Sequence, residues 1–524
     1  MTPTTSRLRS RGLAAICAAG IAGGGFLGTA TIAKAAPAAV PTGPIAFSVR
    51  SFDGTTITGN YFRSPASDGR RAPTVLKGPG WGGAAESDPS APTDTAGGTI
   101  GLAPLLANGY NVVTWNPRGF RTSTGKAQAD SVLYEGRDVS AILNWLSRQS
   151  WAQLDRPGDP AVGMVGGSYG GGVQWAAAAL DRRIDAIAPD ISWNSLKTSL
   201  YPNTTAKSGW STALYGGALA AGQRNNPIID TTFQQAANSI TLSRQGVDFL
   251  GSWQRTNLAA WDSAPALILQ GTVDTLFPLD EAAANYASVS RNRVPVKMVW
   301  FCGGHGVCLT NPGDTSVIER DTLAWLNRYV KRQHVSTGAG FEWVDQTGVW
   351  HSSATYRPNK VGCGGVSANG KGTLSLVSAG GSGPYTGPGA DQLGPVAALI
   401  ATKAPNAVNV PIQFNRATKV LGAPRLSLTY SGTAPGTTHR VLAQIVDNST
   451  GVVLGSQLTP FPVTLDGRTH RLSLPMEYVA ASAAPGQSFT LQLVADSSQI
   501  NTHPSGGSVT FSKVSVKLPT TGGR

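Results

Sequence analysis

Short apolar runs alternate with helically spaced apolar positions over the first two thirds of the chain. Pro73-Thr74-Val75-Leu76, Val112-Val113-Thr114-Trp115, the run into Met164-Val165-Gly166-Gly167, Ile184–Ala188, Ala266–Gln270 and Val296–Phe301 each have the length and bounding of a buried strand. Between them, Leu102, Leu105 and Leu106, then Val139, Ile142, Leu143 and Leu146, then the alanine-rich Val173–Leu180, carry helical spacing. A last helix over about Thr315–Lys331 places Ile318, Trp325, Leu326 and Tyr329 on one face. Strands alternating with helices predict a mainly parallel sheet covered on both faces. Ahead of it, Ile45, Phe47 and Val49 alternate, then Ile57 and Tyr61, with Asp53-Gly54 between, which predicts an N-terminal hairpin.

The alternation stops between Trp193 and Asp262, where polar helical stretches fit no strand. This segment is expected to be an insertion over the carboxyl edge of the sheet. Beyond His334 the period changes to two, as in Phe489, Leu491 and Leu493, with similar runs at Leu426–Tyr430, Val441–Ile445 and Val509–Val516. Such runs among Gly, Ser, Thr and Pro predict an antiparallel β-sandwich over 336–524, after an α/β domain over 36–335 with its insertion at about 193–262. Residues 364–395 read as low-complexity loop.

Composition changes this picture at one end. Arg7, Arg9 and Arg11 precede an apolar run from Gly12 to Ile32, and Ala33-Lys34-Ala35 supplies small residues for cleavage, so residues 1–35 read as a signal peptide. Cys17 follows Ile16 where a lipoprotein signal wants a small residue, so no lipidation is expected. Cleavage would remove Arg7, Arg9, Arg11 and Lys34 and no acidic residue, taking the formal charge from +13 to +9. The basic residues are scattered, which argues against nucleic acid as a partner and for a weak attraction to anionic cell-surface polymers. Export would also leave Cys302, Cys308 and Cys363 where disulfides persist.

The chemistry centres on Gly166-Gly167-Ser168-Tyr169-Gly170, an apolar strand running into a glycine-flanked serine and then a helix. This is the order of a nucleophile elbow, in which a strained turn lifts the serine Oγ above a helix N-terminus. A serine nucleophile needs a base and an acid to orient it. Asp274, in Gly271-Thr272-Val273-Asp274, and His305, in Cys302-Gly303-Gly304-His305-Gly306, each follow a strand and would share the sheet edge of Ser168. Asp190, which also follows a strand, is the rival acid. Of the six histidines His305 alone is well placed. Cys302 and Cys308 flank it three residues to either side, so a disulfide between them would clamp the loop; the alternative is a pairing of Cys363 with one of them.

These residues resemble those of the cocaine-esterase-like (CocE/NonD) and X-Pro dipeptidyl-peptidase hydrolases. The stretch from Trp145-Leu146 through Gly163-Met164-Val165-Gly166-Gly167-Ser168-Tyr169 to Gln174-Trp175 carries the resemblance, with Pro117-Arg118-Gly119 and Gly271-Thr272-Val273-Asp274. The resemblance implies an α/β-hydrolase with an inserted helical cap and a C-terminal jelly-roll β-sandwich. It implies Ser168, Asp274 and His305 as the triad and the backbone N–H of Tyr169 as one oxyanion donor. Where the family often places a tyrosine in the glycine-rich loop, this chain has Trp81 in Gly78-Pro79-Gly80-Trp81-Gly82-Gly83, which has its ring N–H or its backbone N–H to offer as the second donor.

The leading expectation is a secreted or wall-associated serine hydrolase that cleaves an ester or amide through an acyl-enzyme, with no metal and no cofactor. The runner-up is an X-Pro dipeptidyl-peptidase, which needs a carboxylate near the acyl pocket for the substrate's ammonium; Glu86, Asp88 and Glu135 are the candidates. The third is a non-catalytic surface protein on a hydrolase scaffold, against which the intact Ser, Asp, His order stands. Leu518-Pro519-Thr520-Thr521-Gly522 matches a sortase signal without the apolar segment and basic tail that accompany one, and is read as chance.

Overall fold

In the computed structural model the N-terminal hairpin pairs β1 (Ile45–Arg50) with β2 (Thr56–Phe62), and β3 (Thr74–Lys77), α1 (Leu102–Ala107) and β4 (Asn111–Asn116) follow. Residues 43–357, 365–387, 396 and 403–521 are described. The segment read as a signal peptide, Cys363, Gly522 and residues 364 and 388–395 of the expected low-complexity loop lie outside them; the rest of that loop is corrected, because Ser367–Ser375 pairs as a strand with Ser508–Lys517. After α2 (Glu135–Leu146) and a small ribbon of β5 (Leu154–Arg156) and β6 (Asp159–Pro160) come β7 (Val162–Gly167), α3 (Tyr169–Ala178) and β8 (Ala186–Asp190). Helices α4 (Leu196–Leu200), α5 (Ser208–Ala220), α6 (Pro227–Asn238) and α7 (Arg244–Leu250) then intervene before β9 (Ala266–Gly271), α8 (Leu279–Arg291), β10 (Val296–Phe301) and α9 (Val317–Tyr329).

These strands build one sheet of ten in the order β1-β2-β4-β3-β7-β8-β9-β10, continued by β11 (Phe341–Val344) and β12 (Trp350–Ser353). The pairings from β4 through β11 are parallel, and the two edges are antiparallel. The central strands read as continuous apolar runs because both faces are covered: one buried cluster joins Leu76, Met164, Ile187 and Ile268 to α2, α3 and α8, and the other joins Val75, Val165, Leu267 and Val299 to α1 and α9. The expected boundary at 335/336 therefore falls too early. Phe341 and Trp343 are buried in the first cluster and pair in parallel with β10, so the sheet runs on to Ser353 despite its changed texture.

The remaining strands form a β-rich second part of the chain. One sheet orders β13 (Ser367–Ser375), β23 (Ser508–Lys517), β16 (Arg425–Thr433) and β20 (His470–Pro475). The facing one orders β14 (Ala407–Gln413), β22 (Ser488–Val494), β17 (His439–Asp447) and β18 (Val452–Val453), with β19 (Thr459–Val463) also on β17. The smallest joins β21 (Val479–Ala483), β15 (Thr418–Gly422) and β24 (Thr520–Thr521). Leu374, Val410, Leu428, Ile445, Leu491 and Phe511 meet in the core between them, the inward members of the period-two runs. Leu518 is buried, its N–H donates to Val366 O, and Pro519 O accepts from Leu421 N–H, so the Leu-Pro-Thr-Thr stretch is held inside this fold.

Arg118 shows why Pro117-Arg118-Gly119 sits where it does. Its guanidinium is buried and grips Asp138 on α2 through two bonds of 2.7 Å while reaching Asp53 of the hairpin turn at 2.9 Å. Burial opposes ionisation of Asp53, yet the hydrogen bond and charge of Arg118 hold its carboxyl down at about 2. One side chain thus ties the antiparallel edge of the sheet to the helix beside it.

Candidate active site

The glycines around Ser168 are dictated by close backbone approach. A Cβ on Gly170 would stand 2.2 Å from Gly78 O, and one on Gly166, whose φ is 139°, would stand 2.7 Å from the same atom. Strand β7, helix α3 and the Gly78–Gly83 loop can pack this tightly only without side chains. Ser168 itself has φ 58° and ψ −119°, the strained turn of the elbow, with its N–H held by Asp190 O at 3.0 Å. Gln174 on α3 fastens the turn, donating to Gly166 O and Gly170 O and accepting from Ala188 N–H.

The structure brings Ser168, His305 and Asp274 into one chain of hydrogen bonds. His305 Nδ1 donates to Asp274 Oδ2 at 2.8 Å, which leaves Nε2 to accept from Ser168 Oγ, also at 2.8 Å. Asp274 is fully buried. Its Oδ1 accepts from the N–H groups of Leu276 (3.0 Å) and Phe277 (2.8 Å), and its Oδ2 also accepts from Gln270 Nε2. The imidazole is wedged edge-on between Phe277 and Trp210, with ring centroids 5.2 and 5.8 Å away. Asp190 takes no part: its Oδ2 accepts from Thr99 Oγ1, its Oδ1 has no partner among the described residues, and burial pushes its carboxyl well above the ordinary range.

Cys302 and Cys308 are joined, so the loop carrying His305 is closed on itself. In the chain-entropy picture so short a loop contributes about 2 kcal/mol. The loop lies at the rim of the sheet, so mild reduction is expected to lower turnover severalfold while moving the melting temperature by only about 2 °C, because about 2 kcal/mol is small against the unfolding entropy of so long a chain. Parallel titration of activity and thermal unfolding checks this, and a melting transition that falls by much more than this before turnover is lost would contradict it.

Trp81 does not offer its ring to the site. Its indole Nε1–H donates to Leu214 O at 3.0 Å, and the ring packs among Phe120, Tyr169 and Phe233. The expectation of an indole donor is corrected on that ground, because a single N–H aimed at a carbonyl of α5 is spent. The backbone N–H groups of Trp81 and Tyr169 have no hydrogen-bond partner among the described residues, and Gly80 abuts Ser168, where a Cβ would lie 3.9 Å from that of the serine. Two unpaired N–H groups near Ser168, that of Tyr169 at a helix N-terminus, are donors of the kind that an oxyanion requires.

A cavity of about 1010 Å³ opens over Ser168 and His305, walled by the Gly78–Gly83 loop and by Trp210, Leu214 and Gly217 of α5. Of the carboxylates raised for an ammonium, Glu86 lines it but pairs with Lys77 at 3.3 Å. Asp88 binds Ser90 on its own turn, and Glu135 is buried behind Tyr169, whose hydroxyl it accepts. Asp94, which sits in no motif, lines the cavity; its Oδ1 accepts from the N–H groups of Ala96 and Gly97, and it has no ion-pair partner among the described residues. Only its place on the loop packed against Gly303 and Gly304 brings it there.

Residues 53–307 match the family model for X-Pro dipeptidyl-peptidase (S15 family). The chain is similar in fold to a CocE/NonD family hydrolase from Staphylococcus aureus (13% identity, TM-score 0.62, covering 92% of this chain and 97% of that one). It is also similar to an aminopeptidase from a marine sediment archaeon, Thaumarchaeota archaeon (12%, 0.65, 94% and 99%), and to an α-amino acid ester hydrolase (14%, 0.62, 93% and 98%). Among curated proteins, an uncharacterised 31.7 kDa protein of Escherichia coli is 29% identical over 97 residues, 18% of this chain and 32% of that one. The chain thus spans about a third of the length of that relative.

Proposed function

We propose, from a catalytic region that matches the X-Pro dipeptidyl-peptidase (S15) family over residues 53–307, that the protein is a serine hydrolase of the esterase or peptidase type. The observation that carries this reading is the unbroken chain Ser168 Oγ, His305 Nε2, His305 Nδ1, Asp274 Oδ2, with 2.8 Å at each link between side chains. Ser168 attacks the acyl carbon while His305 takes its proton; His305 then returns that proton to the leaving alkoxide or amine, and water reverses the sequence to free the acid. The backbone N–H groups of Tyr169 and Trp81 hold the oxyanion, and the Asp274 carboxylate holds the imidazolium between the two proton transfers. Helices α4–α7 act as a cap that shapes the acyl pocket, and the β-rich part is a jelly roll. The Arg-flanked leader directs the enzyme outside the cell.

An ester is the leading substrate. The dipeptidyl-peptidase alternative is favoured by one observation, the Asp94 carboxylate on the cavity wall: its Oδ1 accepts from the N–H groups of Ala96 and Gly97, which leaves Oδ2 to meet a substrate's ammonium. Steady-state rates on short-chain esters and on X-Pro amides separate the two: faster turnover of esters is expected, and much faster release of dipeptides would overturn the ester reading. Turnover of either kind disposes of a purely binding role.

A further inference from the structure

We propose that Gln457, a residue of the β-rich part far from Ser168 in sequence, is a positioning residue for the acid, and that this part of the chain thereby completes the active site. The inference rests on the triad reading above. The turn that carries Asp274 has little hydrogen bonding of its own. Its carboxylate satisfies the N–H groups of Leu276 and Phe277, but the three successive carbonyls at 274, 275 and 276 pair with no strand among the described residues. All three are held by side chains from elsewhere. Asp274 O accepts from Gln457 Nε2 at 2.7 Å, and Thr275 O and Leu276 O both accept from the buried Lys207 ammonium, at 2.9 and 3.1 Å.

Gln457 is well fixed for this task. It follows the 3₁₀ turn Leu454–Ser456, its own N–H donates to Leu454 O, and Ser456 O accepts from Gln499 Nε2. That turn lies directly on the acid loop: Gly455 has φ 63° and a Cβ there would stand 2.7 Å from Thr272 O. Thr275 Oγ1 adds a bond to Val396 O while accepting from Trp210 Nε1, the ring that flanks His305. An amide N–H aimed at the carbonyl of Asp274 fixes the peptide plane beyond that residue, and so the direction in which its carboxylate meets Nδ1. A displacement of under an ångström in such a chain costs rate while leaving substrate contacts alone, because the interaction gained is made in the transition state.

The test uses the full-length enzyme and Gln457→Met, which keeps the volume and removes the donor, with Gln457→Glu, an acceptor facing the same carbonyl, as a second variant. We expect kcat to fall about tenfold with KM within twofold and the melting temperature within a few degrees. In an Asp274→Asn background the same change should cause no further loss, since Gln457 acts only through that carboxylate. Arg440→Met serves as the contrast: Arg440 ties the β-rich part to Thr204 and Thr205, away from the acid loop, and its loss should lower the melting temperature without that split between kcat and KM. An unchanged kcat in both Gln457 variants, or an equal loss on top of Asp274→Asn, overturns the proposal. An Asp274→Asn enzyme with full kcat would instead remove the triad reading beneath it.

Discussion

Ser168→Ala is expected to lower kcat by about 10⁶ and to abolish labelling by a fluorophosphonate probe, while the melting temperature stays where it was. Among the described residues the hydroxyl makes one hydrogen bond, to His305 Nε2, and takes no part in fastening the turn: the Ser168 N–H bonds Asp190 O, and Ser168 O accepts from the N–H groups of Gly171 and Gly172. Alanine keeps all of those. It also keeps the strain, because φ 58° is unfavourable for any residue with a Cβ, at about 1–3 kcal/mol. Ser168→Gly should therefore be equally inactive yet more stable than Ser168→Ala, a pairing that separates the cost of the elbow from the loss of the nucleophile. Labelling that persists in either variant would move the nucleophile elsewhere.

The elbow was legible because the glycines and the apolar strand before them are local: every close approach that requires Gly166 or Gly170 follows from a strand meeting a helix through one residue. The place of His305 was legible for a similar reason, as the histidine of a loop that directly follows a strand on the same edge. Other features depend on contacts that no short stretch encodes. The indole of Trp81 is drawn off by Leu214 O, 133 positions later, so a loop that reads as an oxyanion donor is left with only its backbone N–H to offer. Strands β11 and β12 carry Trp343, Val344 and Trp350 among Gly, Ser and Thr, the same texture as the sandwich, and only the parallel pairing of Phe341 with Met298 assigns them to the larger sheet. Gln457 lies 183 positions from the carbonyl that it holds, in a run with no motif, and has no signal in the sequence. The buried carboxylates behave alike: Glu135 reads as a surface residue, but burial raises its carboxyl to about 7 and Tyr169 donates to it behind the nucleophile.

The acid is where sequence left two answers, since Asp190 and Asp274 both follow strands that run toward the same edge. Asp274→Asn is expected to lower kcat by about 10⁴ with the fold intact, and Asp190→Asn to change it only a few-fold. The reason lies in which donors surround each carboxyl. At 274 an asparagine would keep its oxygen on the N–H groups of Leu276 and Phe277, at 3.0 and 2.8 Å, because those donors accept no other choice. Its NH₂ would then face His305 Nδ1, which must accept, so the ring proton moves to Nε2 and the imidazole can no longer take the proton of Ser168. Gln270 Nε2 would also be left donating toward an amide nitrogen, which adds to the misfit. At 190 the situation is reversed. Burial pushes that carboxyl well above the ordinary range, which favours its uncharged form, and an amide of the same shape can still accept from Thr99 Oγ1. Among the described residues no contact joins Asp190 to His305, and the carboxyl of Asp190 lies instead against Gly98 and Gly167. Measuring kcat for both variants on one ester, with thermal unfolding alongside, decides the assignment: a larger loss for Asp190→Asn than for Asp274→Asn would transfer the acid to the end of β8.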